Sequence, residues 1–334
     1  MKAVSLAAVI VIASSAAVSA MDKVTVQLDW VVRGGHAMFF VARQKGYFAK
    51  QDIELVAIQR GTGSPDAMRQ VGGGNAEFGF GDLPTLAVAR AQGVPVVALS
   101  ADNQQSPLAM ITLASRKKLT RPQDLKGLNI GVQPQGSTYV FLKAFLAANG
   151  MSLDDITQST VMPPYENYLL LGRVDAVPGY LDAEVPELEA KAGGPGSLSI
   201  LPGWKFGYAV YGSGLFTSET MIATRASVVQ RFVAAYLRAF ADVIKEPEEA
   251  ARIIAQALPE YAAKTEVLTA QIRADLANTF LSDDTRVNGA GWMTDEKWKK
   301  TVAVLLDQKV LAAPIDVKAA YDNVFLSKAR QSMQ

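Results

Sequence analysis

The chain has 334 residues, 49% hydrophobic and 19% charged, with 33 Lys and Arg against 32 Asp and Glu for a net charge of +1. That length favours two lobes over one, and the charge balance offers neither a nucleic-acid groove nor a polybasic membrane patch. With no Cys and one His, His36, disulfide frameworks, thiolate metal sites, cysteine nucleophiles and multi-histidine metal centres are excluded.

The first twenty residues read as a secretory leader: Lys2, a compact apolar run over 3–13, then small residues at Val18-Ser19-Ala20. No Cys follows the run, so a lipid anchor is not expected, and no later stretch is long and apolar enough to span a bilayer. The expected mature protein starts at residue 21, is exported to a periplasm, and is a monomer with no direct membrane insertion.

Residues 23–28 alternate apolar and polar, as a half-buried strand does, and end in Asp29-Trp30 before a Gly34-Gly35 pair. A helix is predicted over 36–51, with Phe39, Phe40, Ala42 and Tyr47 on one face. A strand over 53–58 leads to Gly61-Thr-Gly-Ser-Pro-Asp66, where Ser64 and Pro65 suit the start of a helix. A glycine turn over 72–74 precedes a strand over 77–81, Asp82, a helix over 84–92 and a continuously apolar strand over 94–99. Residues 108–113 form a further strand. A second strand–turn–helix series begins at 128–132, with Gly136-Ser137-Thr138 opening a helix to Asn149. Helices follow over 165–171 and 182–192, with an extended 174–178 between them. Residues 206–211 are predicted as the strand that returns to the first lobe. From 227 onward the chain is mostly helical, with Val229, Phe232, Val233, Tyr236, Leu237 and Phe240 on one face. No internal repeat is visible in the sequence.

This alternation predicts an α/β fold of two lobes with mainly parallel sheets. The first lobe is assigned residues 21–112 plus 213–334, the second 113–212, with a hinge where two segments cross near 110 and 212. Ligands in such folds sit at the carboxyl ends of strands, which places the expected site in the interlobe cleft.

The catalytic templates fail. There is no Gly-x-Ser-x-Gly elbow, no Walker loop, and the turn at 61–66 lacks the last Gly of a dinucleotide fingerprint. The acid pairs Asp154-Asp155 and Asp283-Asp284 sit in polar turns that suit helix caps. The strand-end residues read instead as a set for holding a small molecule. Trp30 offers a flat face or ordinary core packing, and His36 can hydrogen-bond into the cleft or be structural. Gly63 and Ser64, and Ser137 with Thr138, present hydroxyls and backbone N–H groups at helix starts, for a ligand or simply as caps. Asp82, Asp182 and Glu184 are strand-end acids, suited to a cap or surface role or, if buried in the cleft, to selecting amino or amidine donors. Only Arg33 and Arg60 lie near these elements in sequence. An oxyanion receptor would want several fixed donors and few acids, so the balance favours a neutral or amino-bearing planar solute, stacked on Trp30 or Tyr180.

The succession Leu28-Asp29-Trp30, His36 and Lys45-Gly46-Tyr47-Phe48 resembles the NMT1/THI5-like family of periplasmic solute-binding proteins. Gly61-Thr-Gly-Ser64, residues 76–82, the run at 92–97, Pro122-Gln-Asp-Leu-Lys-Gly127, Gly131-Val132, Gly136-Ser-Thr138 and residues 172–177 continue it in order. The resemblance implies a type II periplasmic binding protein fold and a binding component of an ABC importer. Its partners would be a small-molecule solute and the cognate permease and ATPase, with no cofactor and no nucleic acid. The solutes implied are sulfonates, nitrate, riboflavin or thiamine pyrimidine precursors. Leu-Asp-Trp followed by His, together with Gln105-Ser-Pro-Leu108, is most similar to the aminopyrimidine branch. There a stretch like Gly179-Tyr180-Leu-Asp-Ala-Glu184 implies contacts from Tyr180, Asp182 and Glu184. Where that branch has Trp-Asn after the Tyr, this chain has Leu181-Asp182. Enzymatic relatives that make the pyrimidine carry a cysteine-rich motif, which this chain lacks.

Overall fold

A computed structural model describes residues 20–162 and 166–332. The leader expected over 1–20 lies, but for residue 20, outside the described residues. The first lobe runs β1 (Asp22–Gln27), α1 (Ala37–Gln44), β2 (Ile53–Gln59), α2 (Ser64–Gly72), β3 (Phe78–Asp82), α3 (Leu83–Ala91) and β4 (Val96–Ala98). The second runs β5 (Leu108–Leu113), β6 (Asn129–Val132), α4 (Ser137–Ala148), β7 (Thr157–Thr160), α5 (Glu166–Leu170), β8 (Val177–Tyr180), α6 (Glu184–Ala192) and β9 (Leu198–Pro202). The chain then returns as β10 (Ser213–Ser218) and continues as α7 (Glu219–Thr224), α8 (Ala226–Lys245), α9 (Pro247–Ala257), α10 (Thr265–Asn278), α11 (Asp283–Asn288), α12 (Asp295–Asp307), α13 (Val317–Ala320) and α14 (Val324–Gln331).

The first sheet has the order β2-β1-β3-β10-β4, with β1 parallel to β2 and β3, and β10 antiparallel to both its neighbours. In the second lobe β6 and β7 are parallel, and β5 is antiparallel to β8 and β9. A bridge from Ile130 to Ala176 joins the two parts edge to edge, giving β7-β6-β8-β5-β9. The lobes therefore share one topology, in which the single antiparallel strand is the first after each crossing. No sequence repeat signals this symmetry, because it resides in strand order and not in residue type. Both sheets are mixed, yet in each all strands but that one run the same way, in keeping with the mainly parallel expectation.

Two expectations are corrected. Residues 108–112 do not belong to the first lobe, since β5 pairs along its length with β8 and β9. The first crossing is therefore 99–107. The predicted strand over 206–211 does not form: a turn over Gly203–Phe206 ends at Gly207, whose φ of 94° takes the chain out of extended geometry. The returning strand is β10, and 207–212 is the second crossing. The crossings hydrogen-bond to one another, Gly212 N–H to Asn103 O at 2.9 Å and Ser106 N–H to Val210 O at 2.9 Å, and Asn103 N–H adds a bond to Ser213 O at the start of β10 at 2.9 Å.

The predicted α8 face holds, for Val229, Phe232, Val233, Tyr236, Leu237 and Phe240 are all buried. Phe232 stacks on Phe78 of β3 at 3.7 Å between centroids, so the helix covers one side of the first sheet. The C-terminal helices do not belong to the first lobe alone. Trp298 of α12 shares a buried cluster with Leu86 and Val96 of the first lobe and Phe141 and Phe145 of the second. Its ring stacks on Tyr321 at 5.8 Å and meets Tyr211 of the second crossing at 5.7 Å. Trp298→Ala should lower the unfolding free energy by about 3–5 kcal/mol, as large core truncations do. Urea titration of both proteins measures this, and a change below about 1 kcal/mol would show that α12 is peripheral.

Candidate functional site

The carboxyl ends of β1 and β3 face those of β6 and β8 across the interlobe cleft, and the starts of α2 and α4 oppose one another there. The cleft is lined by Asp29, Trp30, Arg33, Gly63, Ser64, Gln133, Gly136, Ser137, Thr138, Tyr180, Ala183 and Glu184, around a free volume of about 360 Å³, mouth included. The enclosed cavity itself is only about 30 Å³, room for about one water.

The first lobe's wall depends on a close approach of backbones. Gly61 sits so near the end of β1 that a Cβ there would lie 2.1 Å from Leu28 O. Gln27 fixes the same approach, donating to Leu28 O at 3.0 Å and Arg60 O at 3.1 Å. Gly63, with φ 145°, then turns the chain into α2. The N–H groups at the start of a helix have no partner within it, so both α2 and α4 present donors to the cleft. Ser64 Oγ accepts from Asp82 N–H at 3.1 Å and reaches Asp29 Oδ2 at 3.5 Å.

Beneath this wall lies a buried ionic cluster. Arg33 grips Asp29 with both terminal nitrogens, at 2.9 and 3.1 Å, in the bidentate geometry that favours carboxylates. His36 Nδ1 accepts from the Arg33 backbone N–H at 3.2 Å, so its other nitrogen carries the proton and donates to Asp29 Oδ1 at 2.9 Å. Asp29 thus receives four donors and its carboxyl is held well below the usual range, despite the opposing cost of burial. Burial and the Arg33 charge push His36 down to about 4, which keeps the ring neutral. The Arg33 guanidinium also lies 5.5 Å from the Tyr180 ring, a contact that reaches across the cleft.

The second lobe supplies the other wall. Tyr180 Oη and Ser137 Oγ are 2.7 Å apart, and Glu184 accepts from Tyr180 N–H at 2.7 Å. Tyr180, Ser137, Thr138 and Glu184 are each more than nine-tenths buried, whereas Trp30 is half-buried and packs toward the second lobe's apolar cluster.

The cleft gathers seven of the residues singled out from the sequence: Trp30, Gly63, Ser64, Ser137, Thr138, Tyr180 and Glu184. Four others lie elsewhere. His36 is fully buried and points at Asp29, with its ring edge-on to Phe80 at 5.2 Å, because a neutral imidazole is the donor that completes the Asp29 shell. Asp82 caps α3, accepting from Thr85 N–H at 2.9 Å and Oγ1 at 2.6 Å. Burial there pushes its carboxyl up to about 7. Gln105, on the first crossing, faces a separate polar hollow shared with Val210, Ser282 and Lys297. Asp182 is buried behind the cleft against Asp275 of α10. The sequence reading missed Asp29, Arg33, Gln133 and Ala183 as lining residues. An acid at a strand end with an arginine four residues on was the available signal for the pair, whereas Gln133 has none.

This fold is a two-lobed one of the periplasmic binding protein kind. The sulfonate-binding protein SsuA of Methylobacillus flagellatus KT superposes with a TM-score of 0.65 at 17% identity over 94% of this chain and 95% of that one. The nitrate-binding protein NrtA of Synechocystis PCC 6803 gives 0.68 at 14%, over 94% and 89%. The chain belongs to the NMT1/THI5-like family, whose model matches residues 34–250. It is 27% identical to the riboflavin-binding protein RibY of Chloroflexus aurantiacus over 92% of this chain and 86% of that protein. It is 24% identical to the formylaminopyrimidine-binding protein of Halalkalibacterium halodurans, over 91% of each. A 4-amino-5-hydroxymethyl-2-methylpyrimidine phosphate synthase of Legionella pneumophila is 26% identical over 92% and 93%. The family thus contains proteins named for binding and proteins named for synthesis.

As the chain's single histidine, His36 gives one imidazole resonance set to follow by NMR. In the folded protein it should titrate near pH 4 and not near the ordinary 6.5. The unfolded chain takes up a proton between these values that the folded one refuses. The His36 contribution to stability is therefore complete above about pH 6.5 and is lost as pH falls toward 4. A midpoint near 6.5 in the folded protein would place the ring in solvent and contradict the buried cluster.

Proposed function

We propose that the protein is the exported solute-binding component of an ABC importer and that it holds a small planar heteroaromatic solute bearing amino or amide N–H groups. The observation that carries this reading is the polarity of the cleft. Its cation, Arg33, is neutralised by Asp29, and Glu184 adds a second carboxylate to the lining, so the walls carry more acid than base. Trp30 and Tyr180 supply aromatic surface from opposite lobes, which suits a flat ring held as the lobes close. Relatives named for riboflavin and formylaminopyrimidine are consistent with a ligand of this class. Arg60, the other arginine near these elements, pairs with Glu260 at the surface and not with the cleft.

One observation favours a second reading, an organic anion such as a sulfonate or nitrate. The helix starts of α2 and α4 converge on the cleft, and such ends attract negative charge. In the first reading they hold a polar or anionic tail of the heteroaromatic solute. A synthase role has less support: the only imidazole is committed to Asp29 and stays neutral, and the chain has no thiol. Transport requires a permease and an ATPase to receive the loaded protein, and a periplasmic location requires the leader.

A thermal-shift screen with riboflavin, aminopyrimidines, alkylsulfonates and nitrate tests the reading. A flavin or aminopyrimidine at 100 times its Kd should add about 2.7 kcal/mol of stability. Trp30→Ala should weaken that binding by roughly 1–3 kcal/mol, the range for stacking on an aromatic platform. Stabilisation by nitrate or sulfonate alone, unaffected at Trp30, would favour the anion reading instead.

A further inference from the structure

Helix α10 has two faces that look to different lobes. Its apolar residues Leu268 and Ile272 sit in the first lobe's core. Its polar residues Gln271 and Asp275, one turn apart, are buried against the second lobe. Gln271 accepts from Gly34 N–H of the first lobe at 2.8 Å and donates to Ala183 O of the second at 3.0 Å. Next to Ala183, the side chain of Asp182 is buried against that of Asp275. Asp275 is otherwise anchored on the first crossing and its own helix, accepting from Asn103 at 2.6 Å and Thr279 at 2.8 Å through Oδ1. Asp182 Oδ1 and Asp275 Oδ2, both buried, have no hydrogen-bond partner.

Two carboxylates offer acceptors alone, so these buried oxygens can satisfy each other only if one of the two groups carries a proton. The surroundings do not replace that proton. The charged and titratable groups facing the pair are Arg33, whose two terminal nitrogens are bound to Asp29, Asp29 itself, and Tyr236 of α8, whose hydroxyl donates to Asp102. Once the lobes part, the turn holding Asp182 and Ala183 leaves α10, and water can solvate both carboxylates in their ordinary ionised form.

We propose that closing of the lobes is coupled to uptake of one proton by the Asp182–Asp275 pair, with Gln271 as the uncharged half of the same latch. This concerns regulation of the cleft and rests on the reading of the protein as a closing solute binder. Burial and mutual repulsion hold the pair's carboxyls above the usual carboxylate range in the closed form. The closed state therefore binds one more proton than the open state, and rising pH favours opening.

The test needs no ligand, so its outcome is separate from whether a solute is found. Because the natural chain has no Cys, a pair of cysteine spin labels can replace the exposed Val56 of the first lobe and Leu171 of the second without background labelling. Inter-label distances are measured at pH 5, 7 and 9, with folding checked by circular dichroism. The closed population should fall as the pH rises. With Asp182→Asn, whose amide donates to Asp275 without titrating, the population should become independent of pH. With Gln271→Ala the closed fraction should drop while its pH dependence persists. A wild-type distance distribution unchanged between pH 5 and 9, or an equal pH response in Asp182→Asn, would overturn the proposal.

Discussion

The carboxylate of Asp29 is the constraint around which the cleft is built. A buried carboxylate is costly unless its oxygens are filled, and here Arg33, His36 and Ser64 fill them. Each donor is fixed in turn. The His36 tautomer is set by the Arg33 backbone, and Ser64 is held by the Asp82 N–H at the start of α3. Satisfying one acid therefore places the loop after β1, the start of α2 and the end of β3. The same arrangement settles the charge facing the ligand, since the guanidinium that reaches the cleft comes already neutralised. Removing one partner of such a pair leaves an uncompensated buried charge and typically costs 3–5 kcal/mol.

The second level of organisation is the repeated strand order of the two lobes and the helices that straddle them. Each lobe inserts the strand received from a crossing as its antiparallel member, so the two crossings run side by side and bond to each other. The cleft walls are then the carboxyl ends of equivalent parallel strands, β1 and β3 on one side, β6 and β8 on the other. Helices α10 and α12 span the boundary, α10 through buried polar contacts at the cleft's back and α12 through the aromatic packing of Trp298. Polar contacts can exchange with water as lobes separate more readily than an apolar cluster can, so the two helices differ in what they allow. Among the described residues no helix is long and apolar enough to cross a membrane.

Much of this was legible in the sequence, for identifiable reasons. Alternation in β1 and the periodic apolar face of α8 are local patterns, and they gave strand and helix directly. Gly63-Ser64 and Gly136-Ser137 announced the two helix starts that line the cleft. The legible signals stopped where residue type depends on a distant partner. His36 sits in the right loop, yet only the fold shows that Asp29 and not a solute receives its proton. Asp182 and Glu184 are two residues apart and read alike, but Glu184 lines the cleft while Asp182 turns away to Asp275, 93 positions on in the chain. Gln271 carries no pattern at all. The edge of the first lobe was misplaced because β5 looks like any buried strand, and only its partners β8 and β9 reveal its sheet.

The claim on which the rest turns is that Asp29 cancels the charge of Arg33 and so sets the polarity of the cleft. Calorimetric titration of an alkylsulfonate into the wild type and Asp29→Asn, at a temperature where both are folded, tests it directly. Neutralising the acid leaves Arg33 with an unbalanced charge beside the starts of α2 and α4. The wild type should bind the sulfonate weakly or not at all, and Asp29→Asn should bind it at least tenfold more tightly. Tight sulfonate binding by the wild type that is unchanged or lost in Asp29→Asn would show that the Arg33 charge already serves an anion, and would contradict this reading of the site.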